Sequence, residues 1–99
     1  MNLKGELMKY FAALLKMKDV EKNRSYREQH VDFLIQREKE GKIFARGRFT
    51  EGEGGLVIYT AETFDEALKM AESDPYVSLG ARSLELYEWN MKIPEKSNP

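Results

Sequence analysis

The chain contains one histidine, His30, within the stretch Ser25-Tyr-Arg-Glu-Gln-His-Val-Asp-Phe-Leu34, and it contains no cysteine. Histidine ordinarily changes charge between about pH 5 and 8, so His30 is the natural candidate for proton transfer. Thiolate chemistry is excluded by composition, and one histidine without cysteines cannot build a His- or Cys-rich zinc cluster within a subunit. No metal and no cofactor are therefore expected. Ser73, Ser78 and Ser83 sit in no strand-turn-helix elbow of the kind that activates a serine. Tyr76 and Tyr87 offer phenolic protons, although tyrosines on a sheet or turn more often pack with a hydrogen-bonded tip. Asp74 precedes Pro75, the pairing of an N-cap with proline at the first helical position. His30 has its own structural reading, as a buried imidazole bonded to a backbone carbonyl.

Sixteen Lys and Arg against seventeen Asp and Glu leave a formal net charge of −1. Gripping nucleic acid needs a basic surplus on one surface, and this balance argues against it. Hydrophobic residues at 41% and charged residues at 33% suit a single globular domain. At 99 residues such a domain leaves apolar surface incompletely covered, so a partner subunit is expected to help. The opening Met1-Asn-Leu-Lys-Gly-Glu-Leu7 lacks the apolar core of a signal peptide, and no run of about 18 apolar residues suits a membrane span. A cytoplasmic location is the expectation. Residues 1–7 read as an N-terminal extension, 8–92 as the domain, and 93–99 as a flexible polar tail.

The elements that must position these residues follow from periodicity. Residues 8–17, MKYFAALLKM, are apolar on both alternating sets, Tyr10, Ala12, Leu14 and Phe11, Ala13, Leu15, which predicts a strand covered on both faces. Polar MKDVEKN reads as a loop, followed by a helix from Ser25 to Glu40, capped by Ser25 or Asn23 and ended by Gly41. Strands are predicted over 43–49 and 56–61, joined by the turn TEGEGG. Thr63-Phe-Asp-Glu66 has the form of a capping box, in which the glutamate returns to the cap residue's own N–H. Phe64, Ala67, Leu68 and Ala71 then form the apolar stripe of a second helix, broken at Asp74-Pro75. Residues 82–91 alternate Leu84 and Leu86 against Tyr87 and Trp89, which predicts a fourth strand.

This order, βαββαβ, is an α+β split-βαβ arrangement: a four-stranded antiparallel sheet, strand order 4-1-3-2, with two helices on one face. On a helical wheel His30 lies between Tyr26 and Leu34 in the buried sector, opposite Glu28, Asp32, Gln36 and Lys39. The helix-free face carries the second apolar set of strand one together with Tyr87 and Trp89, so a second copy is expected to cover it. Arg46 and Arg48 fall on that same face if Ile43, Ala45 and Phe49 face the helices.

The spacing R-x-x-H-x-x-x-L (Arg27, His30, Leu34), then GKIFARGRF from Gly41, the pair Gly54-Gly55, Ser73-Asp-Pro-Tyr76 with Gly80 following, and Trp89 in the last strand, resembles the YciI-like family over nearly the whole chain. The resemblance implies a ferredoxin-like fold forming a dimeric α+β barrel. It also implies an active-site histidine and aspartate in a cleft, which fall by position on His30 and Asp74. Members of the wider group include a dehydrochlorinase of a hydroxylated chloroaromatic, a muconolactone isomerase and cofactor-free monooxygenases. One departure stands out: the family often has A-G-P where this chain has Arg46-Gly47-Arg48. Arginines in a cleft wall suit an anionic ligand such as a carboxylate or phenolate, and otherwise serve as guards of an edge strand. Arg27, Arg46, Arg48 and Tyr76 are accordingly the candidate substrate-binding residues.

If Asp74 accepts from one imidazole nitrogen of His30, it sets the tautomer and leaves the other nitrogen to take or give a proton. That is cofactor-free general acid–base chemistry, suited to elimination, isomerisation or proton abstraction beside a carbonyl on a small anionic or aromatic substrate. The alternative is a small-ligand-binding or regulatory dimer that holds such a molecule without turning it over.

Overall fold

A computed structural model describes residues 8–94. The extension expected at 1–7 lies outside the described residues, as does the expected tail apart from Ile93 and Pro94. The chain runs β1 (Lys9–Met17), α1 (Val20–Ser25), α2 (Arg27–Lys39), β2 (Ile43–Arg48), β3 (Gly54–Ala61), α3 (Phe64–Glu72), α4 (Pro75–Ser78) and β4 (Arg82–Trp89). All strand pairs are antiparallel, and the order across the sheet is β2-β3-β1-β4. This is the predicted 4-1-3-2 order read from the other edge, and the fold is ferredoxin-like α+β.

Alternation along β1 sends Phe11, Ala13 and Leu15 into the core, where they meet Val57, Tyr59 and Ala61 of β3 and Ala67 and Ala71 of α3. The other set, Tyr10, Ala12 and Leu14, is only half buried, so within one chain β1 is covered on one face and partly open on the other. Leu84 and Leu86 of β4 pack against the core as partly buried side chains.

The segment expected to be a loop after β1 is the helix α1. Asp19 caps it by accepting the Lys22 N–H at 3.0 Å. None of its residues is buried, so it leaves no apolar periodicity to read. The chain bends at Tyr26, and α2 starts there with no side-chain cap; neither Ser25 nor Asn23 plays that part. Gly41 follows α2 at φ 74°, the left-handed turn that glycine adopts without a Cβ penalty. At α3, Thr63 accepts the Glu66 N–H at 3.1 Å, but Glu66 returns to the N–H of Glu62, one residue before the cap.

The register of β2 corrects an expectation. Ile43 pairs with Tyr59 and Ala45 with Ile58, so Phe44 is an extra residue in a β-bulge. One inserted residue exchanges the two faces of everything after it. Ala45 and Gly47 therefore lie on the helix-free side, while Arg46 and Arg48, opposite Val57 and Gly55, lie on the helix side. Phe44 packs edge-on against Tyr10, 5.2 Å between ring centroids.

Candidate functional site

Three elements bring the site together. His30 and Leu34, one turn apart, are the buried residues of α2. Asp74 sits where α3 ends and α4 begins; the Asp-Pro pairing caps α4, with Asp74 Oδ1 accepting the Tyr76 N–H at 2.9 Å. The arginines come from the two edge strands and from the start of α2.

Asp74 is fully buried, and its carboxylate faces the imidazole: His30 Nδ1 lies 2.8 Å from Oδ1 and 2.9 Å from Oδ2. A carboxylate oxygen accepts, so Nδ1–H is the donor of this pair, and Nε2 is the ring nitrogen that Asp74 does not engage. Capping and pairing are thus both properties of Asp74. The imidazole is stacked on the ring of Tyr76, centroids 3.9 Å apart and planes at 14°, and the guanidinium carbon of Arg82 lies 4.4 Å from the same ring's centroid. Two groups this close cannot share one ring face, so Tyr76 lies between them. The Tyr76 hydroxyl donates to the Asn23 carbonyl at 3.0 Å, which commits the phenol away from proton donation. Burial raises the phenol of Tyr76 above its usual range. Tyr59, fully buried, is raised further, chiefly by burial and in the same direction by the charge of Asp74; it remains neutral.

A cavity of about 180 Å³ opens beside the pair, and His30 lines it with Tyr76, Arg27, Arg46, Arg48 and Arg82. Its floor includes Leu15 and Gly55. A Cβ on Gly55 would stand 2.6 Å from the Gly47 carbonyl oxygen, so close strand approach demands glycine there and the floor stays low. Arg46 is paired with Glu38 of α2 through its Nε, and this guanidinium holds the Glu38 carboxyl below its ordinary range. Arg27 and Arg48 are exposed at the rim. The residues expected from sequence therefore meet around one cleft, while Tyr87 lies elsewhere, its hydroxyl donating to Glu85 at 2.9 Å. Arg82 was not among them, and Asn23 was read only as a possible helix cap. The alternation that places Leu84 and Leu86 toward the helices also places Arg82 there, so that signal was present. Among the described residues no group of three or more His, Cys, Asp or Glu could hold a metal ion. No helix among them is long and apolar enough to cross a membrane.

Fold and cleft together define a ferredoxin-like α+β domain with a histidine–carboxylate pair beside a cationic pocket. Residues 8–90 match the YCII-related domain, and the chain belongs to that family. It is 32% identical over 85 residues to the uncharacterized protein YjpA of Bacillus subtilis (strain 168), covering 84% of this chain and 98% of that one. It is also similar in fold to 5-chloro-2-hydroxyhydroquinone dehydrochlorinase (TftG) from Burkholderia phenoliruptrix AC1100, solved in complex with 2,5-dihydroxybenzoquinone. That match has a TM-score of 0.62 at 17% identity, over 83% of this chain and 95% of the other.

Proposed function

We propose that the protein is a small-molecule enzyme in which His30 and Asp74 perform cofactor-free acid–base chemistry on a compact anionic or aromatic substrate. The observation that carries this reading is the buried carboxylate on Nδ1 of an imidazole that borders an open cavity. Nε2 takes a proton from the substrate, and the electron pair of the broken bond forms a new π bond. In an elimination the leaving group departs with its own bonding pair; in an isomerisation the imidazolium returns the proton at a second atom. Asp74 stabilises the imidazolium formed between the two transfers. Arg27, Arg46 and Arg48 draw the anionic substrate and stabilise oxyanion character as it develops. Tyr76 positions the imidazole by stacking. The aromatic, hydroxylated compounds named with TftG make dihydroxybenzoquinones and chlorinated hydroquinones sensible first compounds to try.

The chain is further proposed to work as a homodimer through the helix-free sheet face, completing a dimeric α+β barrel. That face leaves Phe44, Phe49, Tyr87 and Trp89 between 42% and 56% exposed, more apolar surface than a lone sheet face ordinarily presents to water. A cytoplasmic location belongs to the same proposal.

The test is a product-detecting screen of carbonyl acids, lactones and chlorinated hydroquinones with wild type, His30→Gln and Asp74→Asn. Turnover by wild type that both variants lose supports the reading. The guanidinium lining taken alone favours a second reading, an anion-binding regulatory dimer, and saturable binding with no product anywhere in the panel would select it.

A further inference from the structure

The cavity holds more positive charge than its surroundings answer. Four guanidinium groups line it, and guanidinium stays protonated at any working pH. Among the described residues only Arg46 of the four has a carboxylate partner, Glu38, while Asp74 is committed to His30. Arg27, Arg48 and Arg82 have none.

Arg48 and Arg82 come from opposite sides of the sheet. β2 and β4 are its two edges, and one row across it reads Arg48, Gly55, Leu15, Leu84. With ~4.8 Å between neighbouring strands, the ends of that row stand about 14 Å apart at the backbone. Arg82 precedes Leu84 by two residues and shares its face of β4. Gly55 and Leu15 form the low middle of the row, so the backbones that carry Arg48 and Arg82 stand on opposite edges of the cleft.

Arg82 is also oriented in advance. Its Nε donates to Asn23 Oδ1 at 2.8 Å and its plane rests near the Tyr76 ring. Its terminal nitrogens make no hydrogen bond among the described residues. A planar fork held this way is ready for a carboxylate, which it binds through two parallel bonds. Arg82 is half-buried, and that burial lowers its pKa, so an opposite charge beside it is worth more than in open water.

We infer that the cleft takes a ring-sized molecule with two separated anionic groups, one answered by Arg82 on the β4 side and the other by Arg48 on the β2 side. This rests on the reading of the cleft as the substrate site. The size follows from the volume: a cavity of about 150 Å³ accommodates benzene, and this one is about 180 Å³. One six-membered ring with short substituents fills it.

The probes are benzoate and isophthalate, which share a ring and differ by one carboxylate, titrated by calorimetry at fixed ionic strength. Isophthalate is expected to bind wild type about tenfold or more tightly, the equivalent of one additional charge-assisted hydrogen-bonded contact. Arg82→Gln and Arg48→Gln should each bring the two affinities to within about twofold, since either leaves one anion unanswered. The wild-type ratio needs no variant, and Arg48 is exposed, so a poorly folding Arg82→Gln does not stop the test. Equal affinities in wild type, no binding of either acid, or a ratio indifferent to both substitutions would overturn the proposal. His30→Gln separates it from the acid–base reading, because the isophthalate preference should survive there. Turnover with a ratio of one removes the two-anion site and leaves the chemistry; a retained ratio with no turnover does the reverse.

Discussion

Truncating Asp74 should harm this fold far more than exchanging its carboxylate for an amide. The side chain is fully buried and receives two kinds of donor, His30 Nδ1–H and the Tyr76 N–H. Asp74→Ala leaves both buried donors without a partner and removes the cap of α4. Unmet buried donors cost about 1–3 kcal/mol each, so the expected loss is about 3–5 kcal/mol, in the range for breaking a buried ion pair from one side. Asp74→Asn keeps the oxygen that caps α4 and replaces a charge-assisted bond by a neutral one, a loss of about 1 kcal/mol. For a domain of this size each kcal/mol moves the melting temperature by about 4–8 °C. The alanine variant should therefore melt about 12–40 °C below wild type and the asparagine variant about 4–8 °C below it. Thermal and urea unfolding followed by circular dichroism measure both. Equal losses in the two variants, or an alanine variant within about 2 °C of wild type, would refute the assignment of the buried donors to this carboxylate.

Three further outcomes are expected. Tyr59 is neutral in the fold while the unfolded chain ionises near the ordinary tyrosine value, so its contribution is whole below about pH 10 and falls above it by about 1.4 kcal/mol per pH unit; urea midpoints from pH 9 to 11 should show a shallower decline in Tyr59→Phe, and an unchanged slope would count against its burial as a phenol. Thr63→Ala should cost about 1 kcal/mol in thermal unfolding through the lost α3 cap, and no change would mean the Thr63 bond contributes nothing. Sedimentation equilibrium should find a dimer that Trp89→Glu, placing a charge on the helix-free face, converts to a monomer; a monomeric wild type removes the proposed interface.

Much of this architecture was legible because its signals are local. The alternation in β1 and β4, the Thr63 cap and the glycine after α2 each report on a few adjacent residues, and with right-handed crossovers they yield the strand order. What escaped was either unmarked or remote. α1 buries no side chain, so a short polar helix resembled a loop until the Asp19 cap was visible. The bulge at Phe44 is a single additional residue whose effect is to exchange faces, and alternation alone cannot detect it; this is why Arg46 and Arg48 were expected on the helix-free side. His30 and Asp74 are 44 residues apart, and no periodicity joins them. Only the family resemblance suggested the pair, although the helical wheel had already turned His30 inward.

The tautomer and reachability of one imidazole carry the proposed chemistry. With a single histidine, a long-range proton–nitrogen NMR correlation reads both ring nitrogens without ambiguity. In the neutral ring Nδ1 should carry the proton and Nε2 the lone pair, and added isophthalate should shift Nε2 saturably while Nδ1 stays bonded to Asp74. A proton on Nε2 in the neutral ring, or an imidazole that responds to no small acid, would contradict it.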